Sequence, residues 1–185
     1  MRGLLLRKPR GLGRFLLTLA LMAGPGLAGT DFASMPVGCS WTTKYSDGSV
    51  VTETFLGKRG GKYKTEVTAD DDPDALIRKV TYDAKGRLLR KDWAGGKWEA
   101  FSPYSCFAEA GTCTYRYTNS GGADQKIAST TVAKGKGFSV RAGAVGEKAY
   151  PDEYFELGTF GLMTRNKASN YSARMTKMQG CGPGA

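Results

Sequence analysis

From Val37 to Met178 the chain is a succession of short segments rich in β-branched and aromatic residues, cut apart by Gly, Asp and Asn. Few of them keep a helical period, and that punctuation restricts the fold more than any other feature. It is the pattern of antiparallel sheet. "VGCSWTTKY" meets "VVTETFL" across "SDGS", and "KYKTEVT" follows with Tyr63, Thr65 and Val67 on one face. "LIRKVTYD", "RLLRKDW" and "KWEAF" come next, then "TCTYRYT", where Cys113, Tyr115 and Tyr117 alternate with Thr112, Thr114, Arg116 and Thr118. "QKIASTTV", "FSVRAGAV", a segment from Tyr154 to Arg165 and "NYSARMTKM" complete about ten strands. An open meander of that length leaves two unpaired edges, a source of aggregation that closure removes. The expected fold is therefore all-β, an antiparallel meander closed into a β-barrel, with a two-sheet sandwich as the alternative. Two short helical turns are possible, one at "DDDPDAL" with Asp72 as cap, the other at "YPDEYFELG", which also reads as a strand from Tyr154.

Ahead of these segments, Arg2, Arg7, Lys8, Arg10 and Arg14 precede the apolar run "FLLTLALMAG", and "GPGLAG" follows it. This is the pattern of a signal peptide, with cleavage expected near Ala28 or Gly29. The apolar run is far short of the roughly 20 residues that span a bilayer, and Gly24, Pro25 and Gly26 interrupt it where a retained anchor would continue. The expected organisation is a signal peptide over 1–28, one disulfide-stabilised β-domain over 29–181 and a loose tail over 182–185, the protein being exported to a bacterial periplasm or secreted. A lipoprotein reading, with Cys39 of "PVGC" acylated, would place the modified residue too far from the apolar run and leave Cys181 without a partner.

Export changes the charge argument. The chain carries 27 basic and 17 acidic residues, five of the basic ones in the leader, so the mature domain holds 22 against 17, a net +5. That suits ordinary solubility, and with export it disfavours nucleic acid as a partner. All four cysteines lie in the mature chain. In an oxidising compartment they are expected to pair Cys106 with Cys113, closing a short loop, and Cys39 with Cys181, tying the start of the domain to its end. Neither pair has the C-x2-C spacing of a zinc site, and the sequence contains no histidine to complete one.

The same lack of histidine excludes Ser-His-Asp and Cys-His catalysis and a histidine pH switch. Catalysis would fall to carboxylates, with Glu153 and Glu156, or Asp92 and Glu99, as candidate pairs for hydrolysis; as residues of strands they read first as surface charges. Asp70, Asp71, Asp72 and Asp74 offer oxygen ligands without the spacing of a calcium loop. The glycine pairs of "KRGGK", "AGGK" and "SGGA" match no phosphate loop and read as turn residues. No cofactor or metal is expected.

"YDAKGRLLRKDWAGGKWEAF" resembles two repeat families over about 20 residues: YD/RHS repeats in Tyr82-Asp83 followed by Gly86-Arg87-Leu88, and MORN repeats in Gly96-Lys97-Trp98. The resemblance implies stacked hairpins forming a shell or scaffold, with no catalytic residue in the repeat. Read from the residues alone, Tyr82, Leu89, Trp93 and Trp98 face one another on adjacent strands while Asp83 and Gly86 set a turn. The same stretch mixes cations with aromatics, so Arg87, Arg90, Lys91, Trp93, Lys97 and Trp98 form a candidate binding patch. Strand alternation, however, sends Leu89, Lys91 and Trp93 to one face and Leu88, Arg90 and Asp92 to the other. The functional reading is an exported, non-catalytic domain binding a small molecule in a lipocalin-like barrel lined by aromatics. An envelope interaction or scaffold protein with a filled core and a carboxylate-dependent hydrolase are the alternatives; the partner would be a small ligand or an envelope glycan or protein.

Overall fold

The structure is a computed structural model describing residues 29–72, 74–106 and 109–182; the expected signal peptide and most of the expected tail lie outside them. Twelve strands follow one another: β1 Ser40–Tyr45, β2 Val50–Arg59, β3 Lys62–Ala69, β4 Leu76–Tyr82, β5 Leu88–Trp93, β6 Trp98–Ser102, β7 Gly111–Asn119, β8 Asp124–Lys134, β9 Gly137–Ala144, β10 Glu153–Leu157, β11 Met163–Lys167 and β12 Ser172–Gln179. Each pairs antiparallel with its sequence neighbours, and β12 returns to β1, so the sheet is a closed barrel. Closure holds as expected. The strand count exceeds the expected ten or so because the segment from Tyr154 to Arg165 is two strands, β10 and β11, joined by a single 3-10 turn at Thr159–Gly161. Of the two possible helical turns, the region after Ala69 is a tight turn in which Asp72 accepts from the Asp74 and Ala75 amides. The other is strand β10, and no α-helix occurs among the described residues.

Closing a sheet requires local bends, and register shifts supply them at Thr42/Thr43 in β1, Phe55/Gly57 in β2, Val67/Thr68 in β3, Thr81/Tyr82 in β4 and Glu156/Leu157 in β10. The closing seam runs from Ser40 opposite Gln179 to Tyr45 opposite Ala173. Just outside its Ser40–Gln179 end, one residue before Ser40 and two after Gln179, Cys39 and Cys181 are joined by a disulfide with Cα atoms 4.4 Å apart. The bond pins the seam, and it answers the acylation question, because Cys39 is fully buried and its sulfur is already bonded. Cys106 pairs with Cys113 across the loop between β6 and β7.

The chain enters the barrel at the end that carries this seam disulfide, the β2–β3 and β4–β5 turns and the β10–β11 link. Residues 29–38 do not run past this end; they close it. Thr30 donates its amide to the Gly86 carbonyl, Asp31 to that of Phe160 and Gly38 to that of Phe55. Phe32 inserts between them, its ring 4.7 Å from Tyr82, 5.0 Å from Phe55 and 5.3 Å from Tyr63. Met35, Trp41, Val67, Val80 and Leu162 complete this apolar cluster. Two glycines permit the approach: a Cβ on Gly86 (φ +75°) would lie 2.0 Å from the Thr30 carbonyl oxygen, and one on Gly29 (φ +95°) 1.9 Å from that of Lys85. A second cluster, Phe101, Tyr115, Tyr117 and Ile127, packs inside β6–β8 against Cys106.

Candidate functional site

Strand alternation that packs the plugged end also carries charge into the lumen. In β2, Glu53 shares its face with Val51 and Phe55; in β4, Arg78 shares its face with Val80 and Tyr82; Lys91 of β5 and Glu99 of β6 point the same way. Register aligns them in two rows. Trp41, Glu53, Val67, Arg78 and Trp93 are successive cross-strand neighbours, and Thr65, Val80, Lys91, Glu99 and Asn119 are the row beside it. Glu53, Arg78, Lys91 and Glu99 are each at least 96% buried. Removing four charges from water is costly unless they compensate one another, and here two acids face two bases.

The pairing is specific. Lys91 Nζ lies 3.6 Å from Glu99 Oε2, and both side chains are sealed from solvent. The Thr65 hydroxyl and the Tyr82 phenol both donate to Glu53 Oε1. The Arg78 guanidinium stands over the Trp93 ring, 5.0 Å from its centroid. Burial pushes the Glu53 carboxyl above its ordinary range, with Arg78 and the two hydroxyl donors pulling against it. Burial also draws the Lys91 ammonium down to about 8, opposed by Glu99 and reinforced by Arg78. Further along the lumen, Glu153 accepts from the Tyr171 hydroxyl at 3.2 Å, and burial raises its carboxyl to about 7. Trp41, Thr43, Tyr45, Val51, Glu53, Arg78 and Met163 line a small cavity between these groups, with room for about one water molecule.

The candidate patch is divided by the barrel wall. Lys91 and Trp93 face inward, whereas Arg90 lies outside, its guanidinium 4.8 Å from the Trp98 ring and its Nε 2.8 Å from Asp92. Arg87 belongs to the β4–β5 turn, paired with Asp83 at 2.6 Å and stacked 3.5 Å from the Tyr104 ring centroid. Lys97 is exposed in the turn at the opposite end of β5. Arg90 and Trp98 are brought together, Lys91 and Trp93 share the lumen, and the six do not converge. Asp83 and Gly86 do set the turn: Gly86 donates its amide to the Asp83 carbonyl, and Asp83 Oδ1 receives the Lys85 and Arg87 amides.

The carboxylate pairs proposed for hydrolysis are divided in the same way. Glu153 points into the lumen, but Glu156 points out, bonded by the Tyr154 hydroxyl and 3.8 Å from Arg165. Asp92 is on the outer face and Glu99 on the inner. Neither pair can flank one substrate bond. Asp70 accepts from the Thr52 hydroxyl and Asp72 caps its own turn; among the described residues no three acidic or cysteine side chains gather to hold a metal ion. Sequence reasoning passed over Glu53, Arg78 and Tyr45, although their parity with Phe55, Val80 and Thr43 was a usable signal.

No protein-family model matches the chain, and no curated protein sequence does either. Among solved structures, the chain is similar to the crystal structure of the hypothetical lipoprotein YmcC from Escherichia coli K12, at 10% identity and a TM-score of 0.47, over 92% of this chain and 98% of that one.

Proposed function

We propose that the protein is an exported, filled-core barrel that acts through its outer surface, as an interaction or scaffold protein of the cell envelope. The observation that carries this reading is the content of the lumen. Its entry end is occupied by Phe32 and its ring partners, and its middle by the Glu53–Arg78 and Lys91–Glu99 side chains. A small-molecule barrel needs a pocket of about 300 Å³ or more lined mostly by apolar groups. The cavity beside Arg78 is far smaller and polar on most of its wall. The two disulfides suit an oxidising compartment, and the resemblance of residues 82–101 to shell-forming repeats points the same way.

The competing reading, a small polar ligand inside the barrel, would have to place it beside Tyr45, Glu53 and Arg78, where the cavity has room for about one water molecule. Intact mass separates the two. Protein produced in an oxidising compartment should show equal masses under native and denaturing conditions, four hydrogens below the reduced chain for its two disulfides. A defined native increment would overturn the filled-core reading and identify the ligand class.

A further inference from the structure

The outer wall of the barrel is not uniformly charged. In places, cations face acids across strands. Glu66 faces Lys79 and Lys79 faces Asp92. Arg116 pairs with Asp124, and Arg141 with Asp152 at 2.6 Å. Cations also stand directly opposite one another in pairs, Arg59 with Lys62 beside the β2–β3 turn and Arg116 with Lys126 between β7 and β8, but on β1, β12 and β11 they run on over three strands. Lys44 lies directly opposite Arg174, and Arg174 directly opposite Arg165, so three exposed cations form one row across three strands. Lys177, opposite Thr42, and Lys167, opposite Ser172, add two more on the adjoining rows. Among the described residues the one ion pair in this group is Arg165 with Glu156, at the edge of the row.

Like charges set directly opposite on adjacent strands destabilise a sheet, their Cβ atoms being about 5 Å apart. Folding alone does not favour this row, whereas an anionic partner does. Resting on the surface-acting reading above, we infer that the β11–β12–β1 face binds an extended acidic polysaccharide. Two features select this partner. The cations form a line at the interstrand spacing of about 4.8 Å, which suits a linear chain of anionic groups. Around them stand hydroxyls, with Thr42 bonded to Thr52 at 2.8 Å and Thr176 bonded to the Thr42 carbonyl, suited to sugar hydroxyls. A membrane-binding face combines its cations with apolar side chains that enter the lipid. Among the described residues the large exposed apolar side chains, Val37, Leu76, Val132, Val145 and Tyr150, lie off these three strands.

The test titrates the exported, oxidised protein with polygalacturonate, and in parallel with neutral dextran and with phosphatidylglycerol vesicles. Saturable binding to polygalacturonate is expected, weakening as salt rises from about 50 to about 200 mM, since such contacts release counterions. The double variant Lys44→Gln/Arg174→Gln should bind about tenfold more weakly or worse while melting at a higher temperature, because it removes the opposed charges. That opposite movement of binding and stability is the signature of a functional row. Arg141→Gln, which removes a cation set opposite Thr130 and paired with Asp152 outside the row, should bind as the parent does. Unchanged affinity in the double variant, equal binding to dextran, or preference for the vesicles would overturn the assignment. None of these results would alter the native-mass comparison, so the two proposals fail separately.

Discussion

The two halves of the lumen solve the same problem by different means. At the entry end the barrel is closed by apolar rings, Phe32 against Phe55, Tyr63 and Tyr82, and by the Cys39–Cys181 bond. In the middle it is filled by Lys91 against Glu99 and Arg78 near Glu53. Apolar packing is non-directional, so each group there contributes by the area it hides. Buried charge is tolerable only in matched sets, so each member there is defined by its partner. Tyr82 joins the two regimes, its ring packed on Phe32 and its hydroxyl donating to Glu53.

The contrast predicts how each half fails. The largest loss should come from opening the seam disulfide in Cys39→Ala/Cys181→Ala, because the loop it closes separates its ends by 142 residues. On the loop-entropy account this costs about 5 kcal/mol, to be read as a shift of the denaturant midpoint. Phe32→Ala should follow at about 4 kcal/mol, the cost of a large buried ring and the cavity it leaves. Because the plug is packed by rings, Phe32→Leu should recover more than half of that loss. In the charged half, shape is not the criterion. Glu99→Leu alone should cost about 3 to 4 kcal/mol by stripping Lys91 of its nearest carboxylate, whereas Lys91→Met/Glu99→Leu should regain most or all of it. A double variant no better than the single would place Lys91 in the same regime as Phe32 and erase the distinction between the halves.

Much of the barrel was legible because strand alternation is a local code. Tyr63, Thr65 and Val67 read as one face, and all three are buried inward; Tyr115 and Tyr117 behave likewise. The cysteine pairs followed from loop closure and the strand order. The plug was not legible. "TDFASMPVG" has no period, and its place depends on backbone bonds to residues 86 and 160 and on ring contacts with β2, β3 and β4, distant in sequence. The charged lumen was half legible. Lys91 was placed on one face with Leu89 and Trp93, yet a lysine on an apolar face reads as a surface residue until its opposite number, Glu99, is in register. Parity gives the face; only the closed sheet says which face is inside.

The smallest effect tests the charged half most sharply, because it appears in one pH window. Burial raises the Glu153 carboxyl to about 7, with the Tyr171 hydroxyl and Asn166 amide opposing the shift. In the unfolded chain the same group titrates near about 4.3. Between those values the folded protein holds more protons than the unfolded one, so stability is full below the lower value and falls as pH rises through 7. Glu153→Gln removes that fall. At pH 8 the variant should be more stable than the parent by about 2 kcal/mol, a figure reduced from the full shift for the group's residual exposure. At pH 4 the two should nearly coincide. Lys91, drawn down to about 8, imposes the opposite slope: above pH 8 the unfolded chain holds the extra proton, so stability rises until the ordinary lysine value is passed. That rise should survive in Glu153→Gln and vanish in Lys91→Met/Glu99→Leu. Urea midpoints from pH 4 to pH 10 would resolve both arms, and a parent-like slope between pH 4.5 and 7 in Glu153→Gln would remove this carboxyl from the buried network.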